Sequence, residues 1–139
     1  MTPYYEHLAV EGNKRGFLCF GHDHIGHGLS GGERVQVKSM DEYIDPVVAH
    51  CTAVTKKYPG LPLFLVGHSM GGLIALLTIL KTQESGLFSG IVLMGPLIAL
   101  DPAMATPMKV FMAKAASRFL PSFSLGGIDP ALVTSDQVT

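Results

Sequence analysis

Leu63 to Leu80 reads LFLVGHSMGGLIALLTIL. The first four residues, Leu63, Phe64, Leu65 and Val66, are wholly apolar, the composition of a strand buried on both faces. Gly67-His68-Ser69-Met70-Gly71 follows, a G-x-S-x-G pentapeptide. Gly72 comes next, and then an apolar run with helix-forming residues from Leu73 to about Leu80. A serine held on a tight turn between a strand and a helix has the layout of a nucleophile elbow. On such a turn a side chain at Gly67 or Gly71 is expected to collide with neighbouring backbone, and glycine also tolerates strained dihedrals. The turn lifts the Ser69 hydroxyl above the sheet. The backbone N–H of Met70, at the helix N-terminus, is then the candidate donor to a developing oxyanion.

The flanking sequence builds outward from this unit. Met1 to Gly16 spaces Tyr4, Tyr5, Leu8 and Ala9 like a short helix that ends at Gly12-Asn13. Gly16 to Phe20 (GFLCF) reads as a buried strand, and Gly21 to Gly32 as a loop rich in glycine and histidine. Ser39-Met40-Asp41-Glu42 is an S-x-x-E capping box opening a helix to about Tyr58. Ile44, Val47, Val48, Cys51, Val54 and Tyr58 recur on it with a 3.6-residue period. Pro46 either kinks this helix or marks its first turn with Asp45 as cap. Pro59-Gly60 ends it. Gly90 to Met94 (GIVLM) is a third apolar strand. Three strands alternating with helices predict an α/β fold with a parallel, doubly wound sheet. Ser69 then falls at the carboxyl end of a strand, where such sheets bind ligands.

The composition narrows the function classes. The chain has 139 residues, 47% of them hydrophobic, with a net charge of −1. Mean hydropathy is +0.35 and the isoelectric point about 6.6. This excludes a disordered chain and gives no basic field for nucleic acid. Cys19 and Cys51 lie in apolar segments and read as small core residues of a reducing compartment. The first ten residues show no signal peptide, and no apolar run is long enough to span a membrane. His22, Asp23, His24 and His27 are metal-ligand types, but an H-x-H-x-x-H run in a glycine-rich loop lacks the second ligand pair of a structural zinc site. No metal and no cofactor are expected.

Several segments resemble the monoglyceride lipases of the α/β-hydrolase fold. They are Leu61 to Gly72, His22 to Gly28 with Ser30, Gly32, Glu33 and Arg34, Tyr58-Pro59-Gly60, Gly95-Pro96-Leu97, and Leu120-Pro121 with Ser124-Leu125-Gly126. The likeness runs from about Tyr5 to about Val133. It implies a serine hydrolase that cleaves monoacylglycerol, or a similar acyl ester, to fatty acid and glycerol through an acyl-serine. Ser69 is the nucleophile and Met70 a backbone oxyanion donor. Other readings of the same elbow are a lysophospholipase, a peptidase-like relative, or a non-catalytic product that binds lipid or a partner.

The resemblance also implies a partial fold. The usual order of groups is Ser, then Asp or Glu, then His, yet no histidine follows His68. His68 itself is part of the turn and points away from Ser69. The family's acid follows a later strand, so Asp101 is not given that role. Gly21-His22 follows a strand and is not the loop that supplies a second oxyanion donor. Met1 reads as an internal start and Thr139 as an early end. The expectation is a piece of the hydrolase core over residues 1–100, with three parallel strands and their helices, and the start of a lid over 101–139. Such a piece is expected to fold weakly and to turn over almost no ester. Within 101–139, Met108, Phe111, Met112, Ala115 and Phe119 share a helical face and Lys109, Lys114 and Arg118 lie elsewhere. The face suits core packing, or an acyl-binding lid with peripheral membrane contact. Met108, Phe111 and Met112 are the candidate substrate-binding residues. Asp129 and Asp136 read as solvated charges. A cytoplasmic protein, peripheral at membranes, is the expected setting.

Overall fold

The structure is a computed structural model and describes residues 5–34 and 36–99. These fall in the first of two units, Met1–Leu100. The elements run α1 (Glu6–Lys14), α2 (Asp41–Lys57), β1 (Phe64–His68), α3 (Met70–Thr82), a 3-10 turn (Gln83–Ser85) and β2 (Gly90–Met94). β1 and β2 pair in parallel, from Phe64 opposite Gly90 to His68 opposite Met94. Parallel neighbours need a crossover, and α3 supplies it.

The core forms where α2 meets α3. Tyr43, Val47 and Cys51 follow one another at four-residue spacing and so share one stripe of α2. They cluster with Ile74 of α3, all four under one tenth exposed. Burying side chains of this size stabilises by roughly 1.5–3 kcal/mol each. Leu65 of β1, Ile25 and Phe20 of the preceding loop, and Met70 pack around them. Thr78 is fully buried and its hydroxyl donates to the Ile74 carbonyl at 2.8 Å, so its polar atom is satisfied inside the helix.

Four features differ from the sequence expectations. Among the described residues the sheet has two strands, β1 and β2, and residues 16–20 are not a strand. An apolar run becomes a strand only beside a ladder partner, and here Phe17 and Leu18 are 61% and 48% exposed. β1 is not buried on both faces. Leu65 and Gly67 turn inward, while Phe64 and Val66 are 52% and 58% exposed.

The capping box predicted at Ser39 and Glu42 does not form. Met40 is the α2 N-cap, with no side-chain cap bond. The Glu42 carboxylate instead accepts from the Lys38 N–H at 3.0 Å. Pro46 sits inside α2 without ending it. It lies on the exposed side, where water can reach the carbonyl that loses its partner. Asp45 is not a cap. With Asp41, one turn earlier, it holds Lys81 of α3 at 2.7 and 2.6 Å.

Candidate active site

Ser69 occupies the single residue between β1 and α3. Among the described residues it is the one non-glycine with positive φ, at 53° and ψ −121°. That region costs a residue with a Cβ on the order of 1–3 kcal/mol, and it persists only where surrounding structure holds it. Its own backbone shows what holds it. The Ser69 N–H donates to the Met94 carbonyl at 3.0 Å, carrying the β1–β2 ladder one step into the turn. The Ser69 carbonyl accepts from Gly72 N–H at 2.9 Å, Leu73 N–H at 3.3 Å and Leu97 N–H at 3.0 Å. The end of β2, the loop beyond it and the first turn of α3 therefore grip the residue from three sides.

The glycines around it divide differently from the expectation. A Cβ at Gly67 would collide with the Gly71 carbonyl oxygen and lie 2.8 Å from Gly72 Cα. At Gly72 it would lie 2.8 and 2.9 Å from Pro96 Cβ and Cα. At Gly71 a Cβ meets nothing within 4 Å. The tight approaches are thus at Gly67 and Gly72. Gly71 is sterically open.

Ser69 is partly exposed. Met70 and Gly71 are the first residues of α3, and their N–H groups precede any intrahelical acceptor. The Met70 N–H is therefore in the chemical state an oxyanion donor needs. Sequence alone does not indicate the partner of His68. The Tyr5 hydroxyl lies 2.8 Å from His68 Nδ1, with the two rings edge to face at 6.2 Å. Sixty-three positions separate the pair, and no local pattern marks it.

The loop histidines are brought together with α2. His22 Nδ1 lies 3.1 Å from His50 Nδ1. His24 stands edge-on to His22 and to Tyr43, at 5.2 Å in each case. His27 Nδ1–H donates to the Ile25 carbonyl at 2.9 Å. Burial holds His22 and His24 below the ordinary imidazole range, and neighbouring imidazoles add to the effect. Asp23 accepts from the Leu29 N–H, which holds its carboxyl below the usual range. Among the described residues no three His, Cys, Asp or Glu side chains are arranged to hold a metal ion. Met108, Phe111, Met112, Asp101, Asp129 and Asp136 lie outside the described residues.

A family model described as "Serine aminopeptidase, S33" matches residues 2–139. The human protein named monoglyceride lipase is 44% identical over 133 residues, which cover 96% of this chain and 43% of that protein. The rat monoglyceride lipase is 39% identical over 133 residues, with the same two shares. A monoacylglycerol lipase from Mycolicibacterium smegmatis is 30% identical over 132 residues, 95% of this chain and 46% of that protein. The chain thus spans less than half the length of these relatives.

Proposed function

This chain belongs to the serine aminopeptidase family, an α/β-hydrolase family, and on that footing we propose that its protein hydrolyses monoacylglycerols to a fatty acid and glycerol through an acyl-enzyme on Ser69. The observation that carries the reading is the positive φ of Ser69, gripped by Met94, Leu97 and the first turn of α3. A strained serine at a strand–helix junction is what a nucleophile elbow requires. The relatives' names supply the substrate class.

In this mechanism Ser69 Oγ attacks the ester carbonyl and gives its proton to a base. The carbonyl oxygen becomes an oxyanion and takes a hydrogen bond from the Met70 N–H. Such a donor is worth roughly 3–4 kcal/mol of barrier. Glycerol leaves with the proton. Water then attacks the acyl-serine and releases the fatty acid. His68 is not the base. Alternation along β1 sets it on the Phe64 and Val66 face, with Nδ1 held by Tyr5. The reading extends to a cytoplasmic protein whose Met108, Phe111 and Met112 contact the acyl chain and the membrane surface. The free thiols of Cys19 and Cys51 suit that compartment.

A second reading, a peptidase, has the family's description in its favour. A panel separates the two. The protein carrying Ser69, purified from its source, is given 2-monooleoylglycerol, lysophosphatidylcholine and an aminoacyl nitroanilide. The lipase reading expects the monoacylglycerol to be cleaved fastest, with Ser69→Ala lowering the rate by a factor of about 10³ or more. Faster cleavage of the nitroanilide would establish the peptidase.

A further inference from the structure

We propose that His22 and His50 form a single-proton latch, which ties the glycine-rich loop over residues 21–34 to α2 and opens when both rings are protonated. The two Nδ1 atoms face each other at 3.1 Å. Two imidazole nitrogens can share one hydrogen at that distance. With both rings neutral, one Nδ1 donates and the other accepts. With one ring cationic the bond is charge-assisted, and so shorter and stronger. With both cationic, two N–H groups and two positive charges oppose each other, and the link is lost.

The surroundings sharpen this threshold. His22 Nε2 and His24 Nδ1 are buried and have no hydrogen-bond partner among the described residues. A proton on either would create a buried cationic N–H with no acceptor, which is costly. Among the described residues, these groups lie around the pair. Asp23 adjoins His22 in the loop and favours its cation, but its carboxylate accepts from the Leu29 N–H. His24 stands edge-on to His22. From α2, Tyr43 faces both His24 and His27. Phe20 covers the His50 ring at 5.1 Å and offers no charge. The downward shifts of His22 and His24 agree with this geometry.

Opening would be felt as a unit. Inside the loop, Gly26 N–H bonds the Gly31 carbonyl, His27 N–H the His24 carbonyl and Ser30 N–H the His27 carbonyl. The Ser30 hydroxyl also donates to the Asp23 carbonyl. Ile25, at the centre of this loop, packs on the same core as Met70, the first residue after Ser69. Release of the loop therefore loosens the packing beneath the start of α3.

The test is a histidine side-chain NMR titration of the full chain from about pH 8 to about pH 4.5, spanning the ordinary imidazole range. The Ile25 and Gly26 backbone amides are followed in parallel. Expected are two joint steps shared by His22 and His50, with both amides moving in the lower step. His50→Asn keeps an uncharged amide near the Nδ1 position. In that variant His22 should titrate in one step, and the amides should no longer follow a second. Independent single steps for His22 and His50, with both amides unmoved, would overturn the latch, and so would an unchanged amide response in His50→Asn. If circular dichroism shows His50→Asn unfolded at about pH 8, the wild-type titration alone decides.

Discussion

The Ser69 N–H donates to the Met94 carbonyl at 3.0 Å. This bond ties the residue that follows β1 to the last residue of β2, one step past the pairing of His68 with Met94. It makes the conformation of Ser69 a property of the sheet rather than of the turn alone. The strain in the turn is local, but part of its restraint comes from Met94 and Leu97, 25 and 28 positions away in sequence.

That strain predicts an unusual ranking at one position. Ser69→Gly removes the Cβ that disfavours positive φ, whereas Ser69→Ala keeps it. Ser69→Gly should be more stable than Ser69→Ala by about 1 kcal/mol, even though glycine normally destabilises a folded chain. Urea unfolding of the two variants measures the difference. Equal midpoints, or a more stable alanine variant, would mean that the φ of 53° carries no strain.

The three elbow glycines should respond differently to alanine. Gly67→Ala and Gly72→Ala place a Cβ against backbone and against Pro96, and each should destabilise by roughly 1–3 kcal/mol. Gly71→Ala meets open space at the start of α3 and should be neutral or stabilising by up to about 1 kcal/mol. Thermal melts of the three variants test the contrast. A Gly71→Ala variant as damaged as Gly67→Ala would contradict the geometry.

Ile74 is 2% exposed in the α2–α3 core, whereas Leu80, further along α3, is 54% exposed. Ile74→Ala should lose about 2–5 kcal/mol, and Leu80→Ala should stay within about 0.5 kcal/mol. Comparable losses in denaturant unfolding would place the core elsewhere.

Stability should fall as the solution is acidified through the imidazole range. His22 and His24 titrate below the ordinary 6.5, chiefly because of burial. The unfolded chain therefore binds these protons more readily than the folded one. Their contribution is intact above about pH 6.5, declines as pH falls toward the folded values, and levels off below them. Asp23 has a pKa depressed from 3.8 and adds a separate loss only at lower pH. His24→Phe keeps a ring against His22 and Tyr43 but cannot titrate, so its unfolding midpoint should vary less between about pH 7 and about pH 5. An identical pH dependence in His24→Phe would mean that His24 does not contribute to it.

Much of this was legible in the sequence because it is periodic or compact. The 3.6-residue stripe locates α2, and the buried positions Ile44, Val47 and Cys51 belong to it. The G-x-S-x-G unit locates the turn at Ser69, and GIVLM gives β2 with the same bounds. What escaped depends on partners distant in sequence. The apolar run Gly16 to Phe20 has the composition of a strand, but a strand also needs a neighbour. The role given to Gly71 belongs to Gly72, because the crowding atom is on Pro96, beyond the next strand. The Tyr5–His68 and His22–His50 contacts span 63 and 28 positions, and polar pairs at such separations leave no periodic trace.

Covalent labelling tests whether Ser69 is a nucleophile. A lysate from the source organism is treated with a fluorophosphonate, digested with trypsin and examined by mass spectrometry for the peptide from Tyr58 to Lys81. The phosphonyl adduct is expected on Ser69. Recovery of that peptide wholly unmodified, while other serine hydrolases in the same lysate carry the label, would contradict it.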